Sequence, residues 1–209
     1  VFLKGDVRGK CFIEYIPAEY AWAPIEADGY LYIDCLWVSG QFKGHGYSNL
    51  LWKNVSGTPN LRASAAWPSC PRKEAWVLSD PKYLKYKGFQ TVDAAEPNFR
   101  LMALPFETQT ELPRFSPRLK QAAAQVPQTG FALYYTSQCP FTAKYVPLLE
   151  AICRDRNVPI QTVHITTAEQ AQSAPCPFTA FSLYWNGEFV THEIPSEKKF
   201  EKLLTDRGL

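Results

Sequence analysis

The chain has 209 residues, of which 46% are apolar and 20% charged, with a formal net charge of +2. That length allows one large domain or two small ones, and that composition supplies a core and excludes wholesale disorder. The near-neutral charge gives no electrostatic case for nucleic acid or an anionic membrane, and no stretch reads as a bilayer span.

In chain order, Val1–Lys4, Lys10–Ile16 and Tyr30–Val38 are rich in aromatic and β-branched residues and read as strands. Asp28-Gly29 is the turn before the third. The chain opens on Val, and its first residues resemble a strand rather than a signal peptide, so a natural N-terminal part is expected to be missing. Tyr47–Leu51 begins a helix. Asp80–Lys87 is a second short helix, with Ser79 or Asp80 as its cap and Gly88 ending it. Phe89–Val92 and Phe99–Leu104 are two further strands. The segment Trp52–Pro71 shows neither helical nor strand period. A structureless loop of that length is uncommon inside a domain. Its codons read one base earlier permit an amphipathic helix, a Lys/Gly turn and an apolar strand, which points to a displaced reading frame.

Residues 107–127 read as a linker, with Ser116–Gln125 as one short helix and Pro117 in its first turn. A second pattern follows. Phe131–Thr136 is a strand, Ala143–Arg156 an amphipathic helix, and Ile160–Ile165 a strand. Thr179–Trp185 and Glu188–Glu193 flank Asn186-Gly187, a strong hairpin signal. Ser196 caps a last helix over Glu197–Leu204. The domains expected are therefore 1–106 and 128–209, both α/β in class.

Between the strand Tyr30–Val38 and the helix at Tyr47 lies Gln41-Phe42-Lys43-Gly44-His45-Gly46. Its glycines let the backbone approach an anion closely, and successive N–H groups aim at the anion's oxygens. The following helix N-terminus adds positive potential. Lys43, His45 and Ser48 offer charge or hydrogen bonds. No third glycine follows for a dinucleotide fingerprint, and no Gly-Lys-Ser/Thr for a P-loop.

Gln-x-x-Gly-x-Gly after an apolar strand resembles the acetyl-CoA signature of the GNAT N-acetyltransferases. Tyr83-Leu84-Lys85-Tyr86-Lys87-Gly88-Phe89 resembles that family's later helix-into-strand segment ending in Gly-Phe. With the C-terminal part, the chain resembles the YoaP-like type, a GNAT domain followed by a small thioredoxin-like domain. The resemblance covers nearly all of the chain outside Trp52–Pro71. It implies an α+β GNAT-like mixed sheet, truncated at its N-terminus, and acetyl transfer from acetyl-CoA to an amine of a small molecule or protein. It implies that Val38, Gln41, Phe42, Lys43, Gly44, His45, Gly46, Tyr47 and Ser48 bind the cosubstrate. The splayed end of the strand Tyr30–Val38 would hold the pantetheine. Asp34, Glu14 and Glu19 are the base candidates. In many GNAT enzymes the acid is a tyrosine four residues before the Gly of Gly-Phe. Leu84 stands there, and Tyr83 and Tyr86 flank it as the acid candidates.

The six cysteines are Cys11, Cys35, Cys70, Cys139, Cys153 and Cys176. None forms Cys-x-x-Cys, and no Cys/His spacing suggests a metal site. Cys11 and Cys35 read as small core residues, Cys153 as helix packing, and the compartment as reducing and cytoplasmic. Cys139-Pro-Phe-Thr-Ala recurs as Cys176-Pro-Phe-Thr-Ala. By resemblance to thioredoxin-like proteins, Cys139 takes the reactive position at a helix N-terminus, and Pro177 the cis-proline position facing it. Cys139 and Cys176 would then face each other across the site. A second expectation follows from that pairing. The chain is a thiol-redox or binding module carried by Cys139 and Cys176, its GNAT half an inactive remnant. His164 and His192 read as structural residues.

Overall fold

A computed structural model describes residues 2–4, 11–56, 65–69, 81–104 and 111–209. The chain divides into two units, Val1–Ala21 with Ile25–Phe115, and Trp22–Pro24 with Ser116–Leu209. In chain order the first unit carries β1 (Phe2–Lys4), β2 (Cys11–Pro17), β3 (Ile25–Glu26), β4 (Leu31–Val38), α1 (Tyr47–Ser56), β5 (Ala65–Ser69), α2 (Pro81–Tyr86), β6 (Gln90–Ala95), β7 (Phe99–Ala103) and β8 (Arg114–Phe115). The second carries α3 (Pro117–Ala124), β9 (Phe131–Thr136), α4 (Pro140–Asp155), β10 (Ile160–Ile165), α5 (Ala168–Gln172), β11 (Phe181–Trp185), β12 (Glu188–Thr191) and α6 (Glu197–Thr205).

Alternation in β2 buries Cys11, Ile13 and Tyr15 and leaves Phe12, Glu14 and Ile16 half-buried on the opposite face. The six-stranded sheet runs β1-β2-β4-β5-β7-β6 and is antiparallel except at β4/β5, which is parallel. Its buried face packs Ile13, Ile33, Leu36 and Met102 against Leu51 and Val55 of α1 and Leu84 of α2. Burying these side chains stabilises the sheet–helix layer by roughly 1.5–3 kcal/mol each.

Within Trp52–Pro71, residues 52–56 end α1 and Ala65–Ser69 form β5, although the sequence there shows no period; 57–64 and 70–71 lie outside the described residues. Tyr47, Leu51 and Val55 fall four residues apart on one stripe of α1, with Trp52 beside them against Phe89 at 5.4 Å. The stripe starts before Trp52, so a period counted from Trp52 misses it. Ala65–Ser69 is a central strand despite Pro68, because β4 and β7 flank it in register. Ser79 and Asp80 lie outside the described residues. At the end of α2, Phe89 N–H donates to Leu84 C=O and Gly88 N–H to Lys85 C=O, with Gly88 at φ +92°. That pair of bonds is a Schellman stop.

The second unit's sheet runs β10-β9-β11-β12, with β9/β10 parallel and the other pairs antiparallel. Phe131, Leu133, Phe181 and Leu183 point to the face covered by α4 and α6, against Val146, Leu149, Phe200 and Leu204. Cys153 lies in that core with no exposure, and burial pushes its thiol up to about 11. The β11–β12 turn is Asn186-Gly187 with φ of 49° and 82°, the left-handed pair a two-residue hairpin needs. Ser116 N-caps α3 by accepting from Arg118 N–H, with Pro117 in the first turn. Ser196 stands at the N-cap of α6, but its hydroxyl makes no capping bond. Trp22 packs with Ile165, Ala171, Ala174 and Tyr134, and Thr179 Oγ1 donates to the Trp22 carbonyl. Among the described residues no helix is long and apolar enough to cross a membrane.

Candidate functional site

The first candidate site grows from β4. Its ladder with β5 has two rungs, Leu31↔Ala65 and Tyr32↔Ala66. From Ile33 to Val38 its register partners lie on β2, ending with Cys11↔Val38. Among the described residues the parallel pair is therefore joined at the start of β4 and has no rungs toward its end, where the glycine loop begins. Within that run the register with β2 shifts between Glu14 and Tyr15. Glu14 pairs Cys35 and Tyr15 pairs Ile33, leaving Asp34 as the extra residue of a bulge.

Burial, and then the nearby charge of Glu14, push the Asp34 carboxyl up to about 6. Above that pH it is an ionised, half-buried base. Glu14 lies on the adjacent strand. Glu19 is committed elsewhere: its Oε1 accepts from Gly29 N–H at 2.8 Å and holds the turn before β4. Cys11 is fully buried, but Cys35, expected in the core, is only half-buried. The bulge carries it to the face of its partner Glu14.

After Val38 the chain makes one 3-10 turn over Gly40–Phe42, and α1 starts directly after Gly46. Gly44 and Gly46 take φ of +81° and +77°, and a Cβ placed on either would meet nothing within 4 Å. The glycines are therefore required by backbone conformation, with open space above them. Asn49 and Leu50 N–H donate to Gly46 C=O, opening the helix. Earlier N–H groups of that turn face the loop, as at any helix start. Gln41, Lys43 and His45 are exposed, Tyr47 and Ser48 are half-buried, and Phe42 sits edge-on to Tyr47 at 5.9 Å. Lys87 Nζ donates to Asn49 Oδ1, bringing a second cation to the first turn of α1. Sequence reading misses this pair, because its members are 38 residues apart and only register across the fold brings them together.

Leu84, where the resemblance puts a tyrosine, is fully buried in the core. Tyr83 packs against that core, and its hydroxyl is buried without a hydrogen-bond partner among the described residues. Tyr86 is 79% exposed. The two candidate acids thus differ sharply in environment.

In the second unit, Cys139 is the N-cap residue of α4 and half-buried. Cys176 is 1% exposed and sits beside the Tyr184 hydroxyl, which donates to Pro175 C=O at 2.9 Å. Burial, with Cys176 as the next cause, raises the Tyr184 pKa. Ser182 and Tyr184 alternate with the core residues Phe181 and Leu183, so this cluster lies on the sheet face opposite α4. No disulfide joins Cys139 to Cys176. The Cys176–Pro177 bond is trans; the cis bond among the described residues is Glu96–Pro97. The Cys-Pro-Phe-Thr repeat therefore has two unlike environments, one at a helix start and one under a sheet. Cys70 lies outside the described residues.

His192 stacks on Phe178 at 4.4 Å, a packing arrangement. His164 stacks flat on Tyr135 at 4.5 Å, and its Nε2 lies 2.9 Å from Ser137 Oγ. The sequence gives little sign of that pairing across 27 residues.

Residues 159–202 match the family model described as YoaP-like. The chain is 38% identical over 205 residues to the uncharacterized N-acetyltransferase YoaP of Bacillus subtilis (strain 168). That alignment covers 98% of this chain and 81% of the Bacillus protein. No solved structure matches the chain significantly.

Proposed function

We propose that this chain, which belongs to the YoaP-like family, transfers an acetyl group from acetyl-CoA to an amine. The observation that carries this reading is the run from the end of β4, which has no rung to β5 beyond Tyr32 among the described residues, into a positive-φ glycine loop and the start of α1. Such an edge offers backbone N–H and C=O groups to the amide groups of pantetheine. The loop suits a pyrophosphate: Gly44 and Gly46 leave open space, α1 contributes its positive end, and Lys43, His45 and Lys87 surround it. Gln41, Phe42, Tyr47 and Ser48 complete the loop, with Val38 at the pantetheine's exit.

Asp34 serves as the base. Ionised above about pH 6, it takes a proton from the acceptor amine as nitrogen adds to the thioester carbonyl. Glu14 supports it by setting the local negative potential that draws a cationic amine. The C–S bond then breaks, and the departing thiolate needs a proton. Tyr83 fits that role better than Tyr86, because its hydroxyl is buried and lacks a partner, whereas Tyr86 is turned to solvent. The sheet order β1-β2-β4-β5-β7-β6 with its single parallel pair supports a GNAT-like first unit. The order β10-β9-β11-β12 supports a thioredoxin-like second one.

Acetyl-CoA titrated against the whole chain should raise the thermal transition, and CoA alone should do so more weakly. No shift at millimolar acetyl-CoA would sink the reading. A panel of small amines and lysine peptides, assayed for released thiol, then identifies the acceptor.

A further inference from the structure

The second unit holds a nucleophile and a base in contact, neither of which the proposed acetyl transfer uses. Ser137 follows β9 directly, and the loop carrying it is pinned from both ends. The Thr142 hydroxyl shares its single hydrogen between Thr136 C=O at 2.9 Å and Cys139 C=O at 2.7 Å, and Thr136 Oγ1 donates to Gln138 Oε1 at 3.1 Å. His164 sits on β10 in register with Tyr135, and the two rings stack at 4.5 Å with planes 2° apart. The stack fixes the imidazole plane and directs Nε2 to Ser137 Oγ at 2.9 Å. Both side chains are exposed, so a substrate reaches them without a rearrangement. Phe141, 44% exposed in the first turn of α4, adds an apolar surface beside the same loop.

We propose that Ser137 and His164 form a second acyl-transfer site, in which Ser137 attacks short-chain acyl esters with His164 as its base. His164 Nε2 accepts the Ser137 hydroxyl proton while Oγ bonds to the ester carbonyl carbon. The ester C–O bond breaks, and the leaving alcohol takes the proton back from His164. Water then cleaves the acyl-serine, again with His164 accepting and returning the proton, so that ester and water become acid and alcohol. Tyr135 acts as a positioning residue through the stack.

The probe is p-nitrophenyl acetate with the whole chain, read as a nitrophenol burst and as acetyl located by peptide fragmentation. The expected result is a burst with acetyl on Ser137. Ser137→Ala should abolish both, His164→Gln should slow the burst roughly 100-fold, and Ser137→Cys should carry the acetyl on its new thiol. Tyr135→Phe should keep the burst rate and Tyr135→Ala lower it. These side chains are exposed or half-buried, and unchanged thermal transitions will show that the variants fold. Acetyl found on Cys139 or Lys144 in place of Ser137, or an undiminished burst in Ser137→Ala, would overturn the proposal. Neither result touches the acetyl-CoA reading, which is scored by ligand-induced stabilisation.

Discussion

Each unit contains a strand that runs through a short loop into the start of a helix, and the two junctions are built in opposite ways. At β4–α1 the loop is shaped by backbone: Gly44 and Gly46 sit at positive φ, and beyond each glycine's own chain neighbours no atom of the described residues lies within 4 Å of where a Cβ would be. At β9–α4 the loop is shaped by side chains, with Thr142, itself 1% exposed, bonding two carbonyls across it. The first junction is left open and suits an anion supplied from outside. The second is closed on itself and carries Ser137, exposed, and Cys139, half-buried. A helix start has the same positive end in both. What differs is whether the chain or a ligand satisfies the groups around it.

The sharpest break of this comparison lies at the open junction. Asp34→Asn removes the base we propose on the β4 bulge and should lower kcat for acetyl transfer by about 10²–10⁴, with the apparent Kd for acetyl-CoA little changed. In the parent protein kcat/KM should rise with pH through about 6 as Asp34 ionises. An equal loss in binding and turnover would remove Asp34 from the chemistry.

Next in size is Gly46→Val. A β-branched residue at φ +77° costs about 1–3 kcal/mol. Relief of that strain would reshape the loop, so acetyl-CoA binding should weaken by roughly 10- to 100-fold on the same free-energy scale. Calorimetric titration checks it. An unaltered Kd would mean that the loop does not carry the pyrophosphate.

At the closed junction the corresponding change is Thr142→Val. It keeps shape and removes a donor: the Cys139 carbonyl retains the Thr142 N–H, while the Thr136 carbonyl loses the hydroxyl. The expected loss is about 1–3 kcal/mol of stability, read as a lower urea midpoint, with acetyl-CoA binding unaffected. The open junction thus answers substitution with a binding defect, and the closed one with a stability defect.

How much of this was legible beforehand follows from the same distinction. The second unit's strands β9 and β10 match the sequence reading end to end, because residues 131–136 and 160–165 carry their own strand pattern and Asn186-Gly187 marks the hairpin. The glycine loop was readable because positive φ is written in residue type. The order around β5 was not, since Ala65–Ser69 has no strand pattern of its own and holds its place through neighbours far away in sequence. If a displaced frame underlies that composition, sequencing the source DNA will show it, and codons that do not encode a helix and strand one base earlier will dismiss it. Asp34's bulge, the Lys87–Asn49 bond and the Ser137–His164 contact were also hidden. Each depends on register or on a pairing across the sheet, and nothing in local sequence encodes it. Cys176 shows the converse. Its motif repeats that of Cys139, yet the fold buries it beside Tyr184.

The smallest effect separates Asp34's chemical role from its structural cost. A carboxyl whose folded pKa is raised from 3.8 to about 6 binds its proton more tightly folded than unfolded. Its contribution to stability is therefore greatest below the unfolded value and is lost as pH rises through about 6. At pH 7.5 the ionised Asp34 burdens the fold, and Asp34→Asn should be more stable than the parent by about 1–2 kcal/mol. Below pH 4, where Asp34 is protonated in the folded state, that gain should shrink toward zero. Urea midpoints at the two pH values decide it. A gain of the same size at both, or a loss at pH 7.5, would mean that Asp34 is held by partners that favour its charge, and a poised base at the bulge would then lose its physical basis.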